Sequence, residues 1–172
     1  MKKLLFLLLI LGHISTIYSS EMMVNKDKLE LSGEGMYEWM WLDVYTAKLF
    51  LPKGQSKDEL YSKKLILELE YKMSLNGKDI AKQSVKEMNA QSSLSAQKKE
   101  EFMKLFESIF PDVEKGDRIS AQFDKEKGIR FYLNEEKMIG EMTNIEDSKR
   151  FLDIWLGKET SGPELRKSLL NI

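Results

Sequence analysis

The stretch LELSGEGMYEWMWLDVYTAKLFLP, Leu29 to Pro52, alternates two residues at a time. Its odd positions are Leu29, Leu31, Gly33, Gly35, Tyr37, Trp39, Trp41, Asp43, Tyr45, Ala47, Leu49 and Leu51. Its even positions begin Glu30, Ser32, Glu34, Met36, Glu38 and Met40. Alternation of this length places the two sets on opposite sides of a pleated chain, with one side buried. Asp43 interrupts the apolar series, as a bend residue does. The stretch therefore reads as two consecutive strands with a bend near Leu42-Asp43. Gly33 and Gly35 predict a bulge or the close approach of another backbone.

Working outward, residues 53–62 are a polar connection with one helical turn at Asp58–Tyr61. Residues 63–73 alternate again, with Leu65, Leu67, Leu69, Tyr71 and Met73 against Lys64, Glu68, Glu70 and Lys72. The period then changes. Ile80, Ala81, Ser84, Val85 and Met88 predict a helix over 78–91 with a thin apolar stripe. Ser95 is a good N-cap for a second helix. Phe102, Leu105, Phe106 and Ile109 form its core stripe, and Pro111 ends it. Three short alternating runs follow, around Ile119–Phe123, Ile129–Leu133 and Met138–Met142, and read as a meander. A helix through Phe151–Leu156, with Gly157 as its cap, and a short one opened by Pro163 finish the chain. Strands grouped apart from helices define an α+β domain, an antiparallel sheet with helices over one face and a polar, wet reverse face.

The chain begins with Met1-Lys2-Lys3, an apolar run Leu4–Leu11 and small or polar residues ending in Tyr18-Ser19-Ser20. This is the pattern of a secretory signal peptide, with an uncleaved anchor as the other reading. The expectation is a leader over residues 1–20, cleaved near Ser19 or Ser20, and a single domain over 21–172 that is periplasmic or secreted. No later stretch is long and apolar enough to span a bilayer. The sequence holds 27 Lys+Arg and 28 Asp+Glu, and the leader takes two lysines and no acid, which leaves a net charge of −3. That balance argues against a nucleic-acid surface. His13, the one histidine, lies in the leader, and the sequence contains no cysteine. A Ser-His-Asp triad, a Cys nucleophile, a disulfide and a His/Cys zinc site are all excluded in the processed chain. Glu135-Glu136 and Glu146-Asp147 lack the spacing of a calcium loop, so no metal and no cofactor is expected.

Four motifs, in order along nearly the whole processed chain, carry a resemblance. They are Gly33-x-Gly35 followed by Val44-Tyr45-x-Ala47-x-Leu49-Phe50-Leu51-Pro52, FPDVEKGDRIS at Phe110–Ser120, FLDIWLG at Phe151–Gly157, and SGPELRKSLL at Ser161–Leu170. Together they resemble the chalcone isomerase-like family, and most of all its exported bacterial branch. The resemblance implies an open-faced β-sandwich with helices over one face, as the patterning does. The family's plant enzymes use an early-strand Arg, a Thr and a helix Tyr to close a chalcone to a flavanone. These positions correspond here to Tyr37, to Tyr45 or its neighbour Thr46, and to Ile80. The resemblance thus implies the fold without the enzyme's catalytic set, so no catalytic residue is assigned. Fatty-acid-binding members resemble the enzyme in keeping the Arg.

The candidate ligand-lining residues are Tyr37, Trp39, Tyr45 and Ile80, with Trp41 beside them. Ordinary core packing is the competing reading for these aromatics. Arg118 and Arg130 are candidates to replace the missing Arg, or members of a solvated face. Three functions follow: a non-catalytic exported binder of a small apolar or amphipathic ligand such as a fatty acid, a cell-envelope interaction module without a ligand, and an isomerase-type enzyme. The first is the reading carried forward.

Overall fold

The computed structural model describes residues 28–172, so the leader and its cleavage site lie outside the described residues. The Leu29–Pro52 stretch is a hairpin of two long strands, β1 (Leu29–Trp39) and β2 (Leu42–Pro52). The turn between them is Met40-Trp41, two residues earlier than the bend read from the sequence, and Asp43 is an exposed residue within β2. The register explains the difference. Glu38 faces Asp43, but Tyr37 faces Tyr45, so Val44 is an extra residue on β2. This bulge restores the parity that a two-residue turn would have flipped, so odd residues face inward on both arms, from Gly33 to Trp39 and from Tyr45 to Leu51. Asp43, opposite Glu38, and Leu31, opposite Phe50, lie on the reverse face.

The hairpin continues into β3 (Leu65–Tyr71) after a short 3-10 helix at Lys57–Ser62. Two helices follow, α1 (Gly77–Gln91) and α2 (Ala96–Ile109). Asn76 and Ser95 cap them, accepting from the N–H groups of Lys78 and Lys98. The chain then re-enters the sheet as β4 (Arg118–Asp124), β5 (Gly128–Leu133) and β6 (Lys137–Met142), and ends in α3 (Ile145–Leu156) and α4 (Pro163–Leu170). All six strands form one antiparallel sheet in sequence order, β1-β2-β3-β4-β5-β6, so the helical pair is an excursion between two adjacent strands. This is the α+β, helix-covered open sheet that the patterning predicts.

Inward residues line up in transverse rows. One row is Tyr37, Tyr45 and Tyr71; the next is Gly35, Ala47, Leu69 and Ile119; the next is Gly33, Leu49, Leu67, Ala121 and Phe131. Aromatics from the helices close over the far strands. Phe151 of α3 lies 5.2 Å from Phe131 and 5.3 Å from Phe106 of α2, and all three are buried. The reverse face carries Thr46, Lys48, Glu70, Arg118 and Arg130, but its central residues Ile66, Glu68, Ser120, Gln122 and Tyr132 are buried. That corrects the expectation of a uniformly wet face. Alternation tells which side a residue takes, not how much water reaches it.

The two sequence glycines are where helix meets strand. A Cβ on Gly33 would lie 2.0 Å from the Ser168 carbonyl oxygen, and one on Gly35 would lie 2.8 Å from Leu165. The absent side chains let α4 sit directly on β1, and the Ser32 hydroxyl donates to the Leu169 carbonyl across the contact. Ser32 is also the extra residue at a second register shift, between Leu31 and Gly33. Bulge and close approach, offered as alternatives by the sequence, occur together. Gly157 ends α3 in extended backbone at φ −68°, not as a left-handed cap. It is small because Gln91 and the Asp153 carbonyl crowd it.

Tyr61 of the 3-10 helix donates a 2.6 Å hydrogen bond to Asp153 of α3. Burial raises the pKa of Asp153, outweighing the Tyr61 hydrogen bond and the nearby Arg150 and Arg166. A carboxyl whose folded-state pKa is raised above its unfolded value contributes most when protonated, and that contribution is lost as pH rises through the folded pKa. Asp153→Asn keeps an oxygen acceptor for Tyr61 without the charge. It is expected to match or exceed the native stability at pH 7, by about 1 kcal/mol or less. The gap should narrow as solutions are acidified through the carboxylate range. Urea denaturation of both proteins across that range checks the sign.

Candidate functional site

The sheet and the helices do not meet everywhere. Between β1–β5 on one side and α1 and α3 on the other lies a cleft of about 680 Å³. That is within the usual range of about 300–1,000 Å³ for a small-molecule site. Tyr37, Trp39, Tyr45 and Ile80 all lie on its wall. Trp41 does not; it stands outside, at the hairpin turn.

Its polarity is graded. The exposed members of the wall are Trp39, Leu42, Asp79, Gln83, Lys86 and Ser161, so the mouth lies between the hairpin end and α1. Next comes the tyrosine row. Tyr37 and Tyr45 stack with ring centroids 5.0 Å apart, and Tyr71 meets Tyr45 edge-on at 6.2 Å. Beyond the row the wall is hydrocarbon: Leu67, Leu69, Ile119, Ala121, Phe131 and Phe151. Ala121 is the small residue of that floor, set between Leu67 and Phe131.

The three phenols are neutral donors. Burial raises the pKa of Tyr45 and of Tyr71 well above the usual phenol range. Burial, and then the Glu87 charge, raise that of Tyr37. None can serve as a base near neutral pH, but each keeps its proton for a hydrogen bond. The Tyr45 hydroxyl already accepts from Trp155 Nε1 at 3.0 Å, which fixes its ring and leaves its own proton to offer. Glu87 is held at the rim by Ser161 and Gln83, each donating at 2.7 Å. Among the described residues, Lys86 is the one basic residue on the wall.

The residues matched to the enzyme's set occupy one site. Tyr37 and Tyr45 are adjacent on the floor and Ile80 is on the roof. Thr46 is turned to the reverse face, where its hydroxyl meets Met36 Sδ at 3.7 Å, so the inward position belongs to Tyr45. Arg118 is on the reverse face between Glu70 and Glu135, at 3.7 and 3.4 Å, and Arg130 is on that face opposite Gln122. Neither replaces a guanidinium in the cleft. Asp147 is engaged by Lys98 at 2.7 Å and Arg150 at 3.6 Å, tying α3 to α2. Sequence reading left out Tyr71, Trp155, Ser84 and Glu87. Tyr71 could have been found as an inward residue of β3, and the thin apolar stripe of α1 was a signal for Ser84. The flank of that helix with Ile80, Ser84 and Glu87 lines the cleft, beside the buried Ala81, Val85 and Met88.

This fold is that of a known group. The chain belongs to the chalcone isomerase-like family, whose sequence model matches residues 15–171. Among solved structures it is similar to the crystal structure of a fatty-acid binding protein of Arabidopsis thaliana. The two share 15% identity and a TM-score of 0.62, over 84% of this chain and 88% of that one. At that identity the likeness shows the fold. No curated protein matches the sequence.

Proposed function

We propose that this protein binds a long-chain amphipathic acid, of the fatty-acid class, in the cleft without converting it, and that it does so after export. One observation carries the reading: the cleft grades from a row of three neutral phenols near its mouth to a hydrocarbon floor. A carboxylate needs donors, and two or three phenolic O–H groups can supply them without a fixed positive charge. An acyl chain needs dry apolar wall, which the inner rows supply. The fatty-acid binding neighbour has the same fold and supports the choice of ligand class. The absence of conversion rests on Tyr37. The position matching the family's Arg holds a phenol that stays protonated, so no cation stands there to hold an oxyanion. Export rests on the leader-like residues 1–20.

The test is mass spectrometry of the processed protein from its exported compartment, gently ionised, beside an organic extract of the same sample. A stoichiometric adduct that reappears in the extract as one lipid class is the expected result. Adduct-free protein that also fails to take up palmitate in titration would sink the reading. Turnover of a chalcone or hydroxy-enone by the purified protein would overturn its non-catalytic part.

A further inference from the structure

The end of the β1–β2 ribbon is an apolar crest. Trp39, Met40, Trp41 and Leu42 are 59%, 70%, 97% and 51% exposed, and Met36 beside them is 41% exposed. Soluble surfaces seldom gather large apolar side chains this way, and such a patch marks an interaction site.

The backbone beneath the crest is strained. Met40 and Trp41 both have positive φ, 47° and 70°. A two-residue hairpin turn with both φ values positive favours Asn-Gly, because a bulky side chain is crowded in the left-handed region. The turn after β5 has positive φ at Asn134 and Glu135, 52° and 68°, and follows that chemistry at its first position, where Asn134 accepts from the Arg118 N–H at 2.8 Å and donates to Asp117 at 2.9 Å. Met40 and Trp41 show no such local compensation among the described residues. Strain kept without a packing return belongs to residues retained for what they present outward.

We propose that this crest inserts into the interfacial layer of a lipid bilayer and sets the mouth of the cleft against it. The proposal rests on the amphipathic-acid reading, since a bilayer is where such a ligand dissolves. Three observations choose a membrane over a protein groove. The crest is the convex end of a two-stranded ribbon, a shape that a fluid accommodates without a preformed complement. Its two tryptophans are the side chains most at home at the lipid–water boundary. And Trp39 and Leu42 belong both to the crest and to the cleft wall, so a ligand leaving the bilayer would meet the mouth directly. Charge narrows the surface further. Glu38 and Asp43 face each other immediately behind the crest, both exposed. Two carboxylates at that depth favour a zwitterionic surface over an anionic one.

The test mixes the full chain with phosphatidylcholine vesicles whose acyl chains carry bromine, a contact quencher of tryptophan. The expected result is quenched and blue-shifted emission from Trp39 and Trp41, weakened when phosphatidylglycerol is added. The double variant Met40→Asn/Trp41→Gly should partition into vesicles at least about tenfold less, on the apolar area removed. It should also melt at a higher temperature than the native chain. It is identical outside the turn, so the difference reads the crest alone. Unquenched native emission, or equal partition of the variant, overturns the proposal. So does lipid-free self-association that the variant abolishes, which would assign the crest to a second copy. Palmitate titration in lipid-free solution separates the two readings. Neither substituted residue lines the cleft, so both proteins should bind alike. Absent quenching with palmitate binding intact overturns docking alone, whereas failure of both proteins to bind palmitate overturns the cleft reading.

Discussion

Replacing Gly33 by valine is expected to lower stability by about 3 kcal/mol or more, near the top of the range for single substitutions. The reason is geometric. The new Cβ would lie 2.0 Å from the Ser168 carbonyl oxygen and 2.7 Å from that of Leu169. These are backbone atoms in the last turn of α4, so no side chain can swing aside. Either β1 or the helix must move. If α4 lifts, Leu165, Leu169 and Leu170 lose their burial, and the Leu169 carbonyl loses the Ser32 hydroxyl. Gly162→Ala is the control, because a Cβ there meets nothing nearer than 3.7 Å. It should change stability by less than about 1 kcal/mol. Urea denaturation measures both, and hydrogen exchange should show α4 losing protection first. A Gly33→Val protein as stable as the control would mean that the helix is not held against the strand.

Ile80→Trp is expected to abolish ligand uptake while leaving the fold standing. Ile80 sits half-buried on the α1 flank that roofs the cleft, so the indole enters open space instead of a filled core. Stability should stay within about 1 kcal/mol of native, because overpacking costs arise where no void exists. Palmitate affinity should fall at least about 100-fold, close to 2.8 kcal/mol at about 1.4 kcal/mol per tenfold. Isothermal titration of the purified variant decides this. A loss below threefold, with the variant folded, would place any ligand elsewhere. Tyr37→Phe is the milder companion. It keeps the stacked ring, removes one phenolic donor, and should weaken palmitate by about tenfold.

The hairpin shows why the fold was more legible than its turn. Odd residues face inward from Gly33 to Trp39 and again from Tyr45 to Leu51, so the stretch reads as continuous alternation even through Met40-Trp41. The parity is preserved only because Val44 is extruded as a bulge, which no local signal announces. Met-Trp is also an improbable pair for left-handed backbone, and the polar Asp43 drew the bend two residues too far along. Where turn chemistry was ordinary, as at the Asn76 and Ser95 caps, the boundaries fell within a residue or two.

The candidate site was legible in part. Tyr37 and Tyr45 were visible as inward aromatics, and Tyr71 was equally readable as an inward residue of β3. Trp155 and Glu87 were not, because their places depend on how α3 and α1 cross the sheet.

By itself the sequence determined the class of this protein. Period-two and helical patterning, the caps, and the GxG motif specify an antiparallel sheet with helices over one face, because each of these signals is local and repeats along the chain. It also determined that residues 28–172 contain neither histidine nor cysteine. Only the tertiary structure decided that a cleft remains between sheet and helices, that a row of phenols stands at its entrance, and that two tryptophans crown its lip. A void is the difference between the volume that elements enclose and the volume that their side chains fill. That difference depends on distances across the fold, which no stretch of sequence contains.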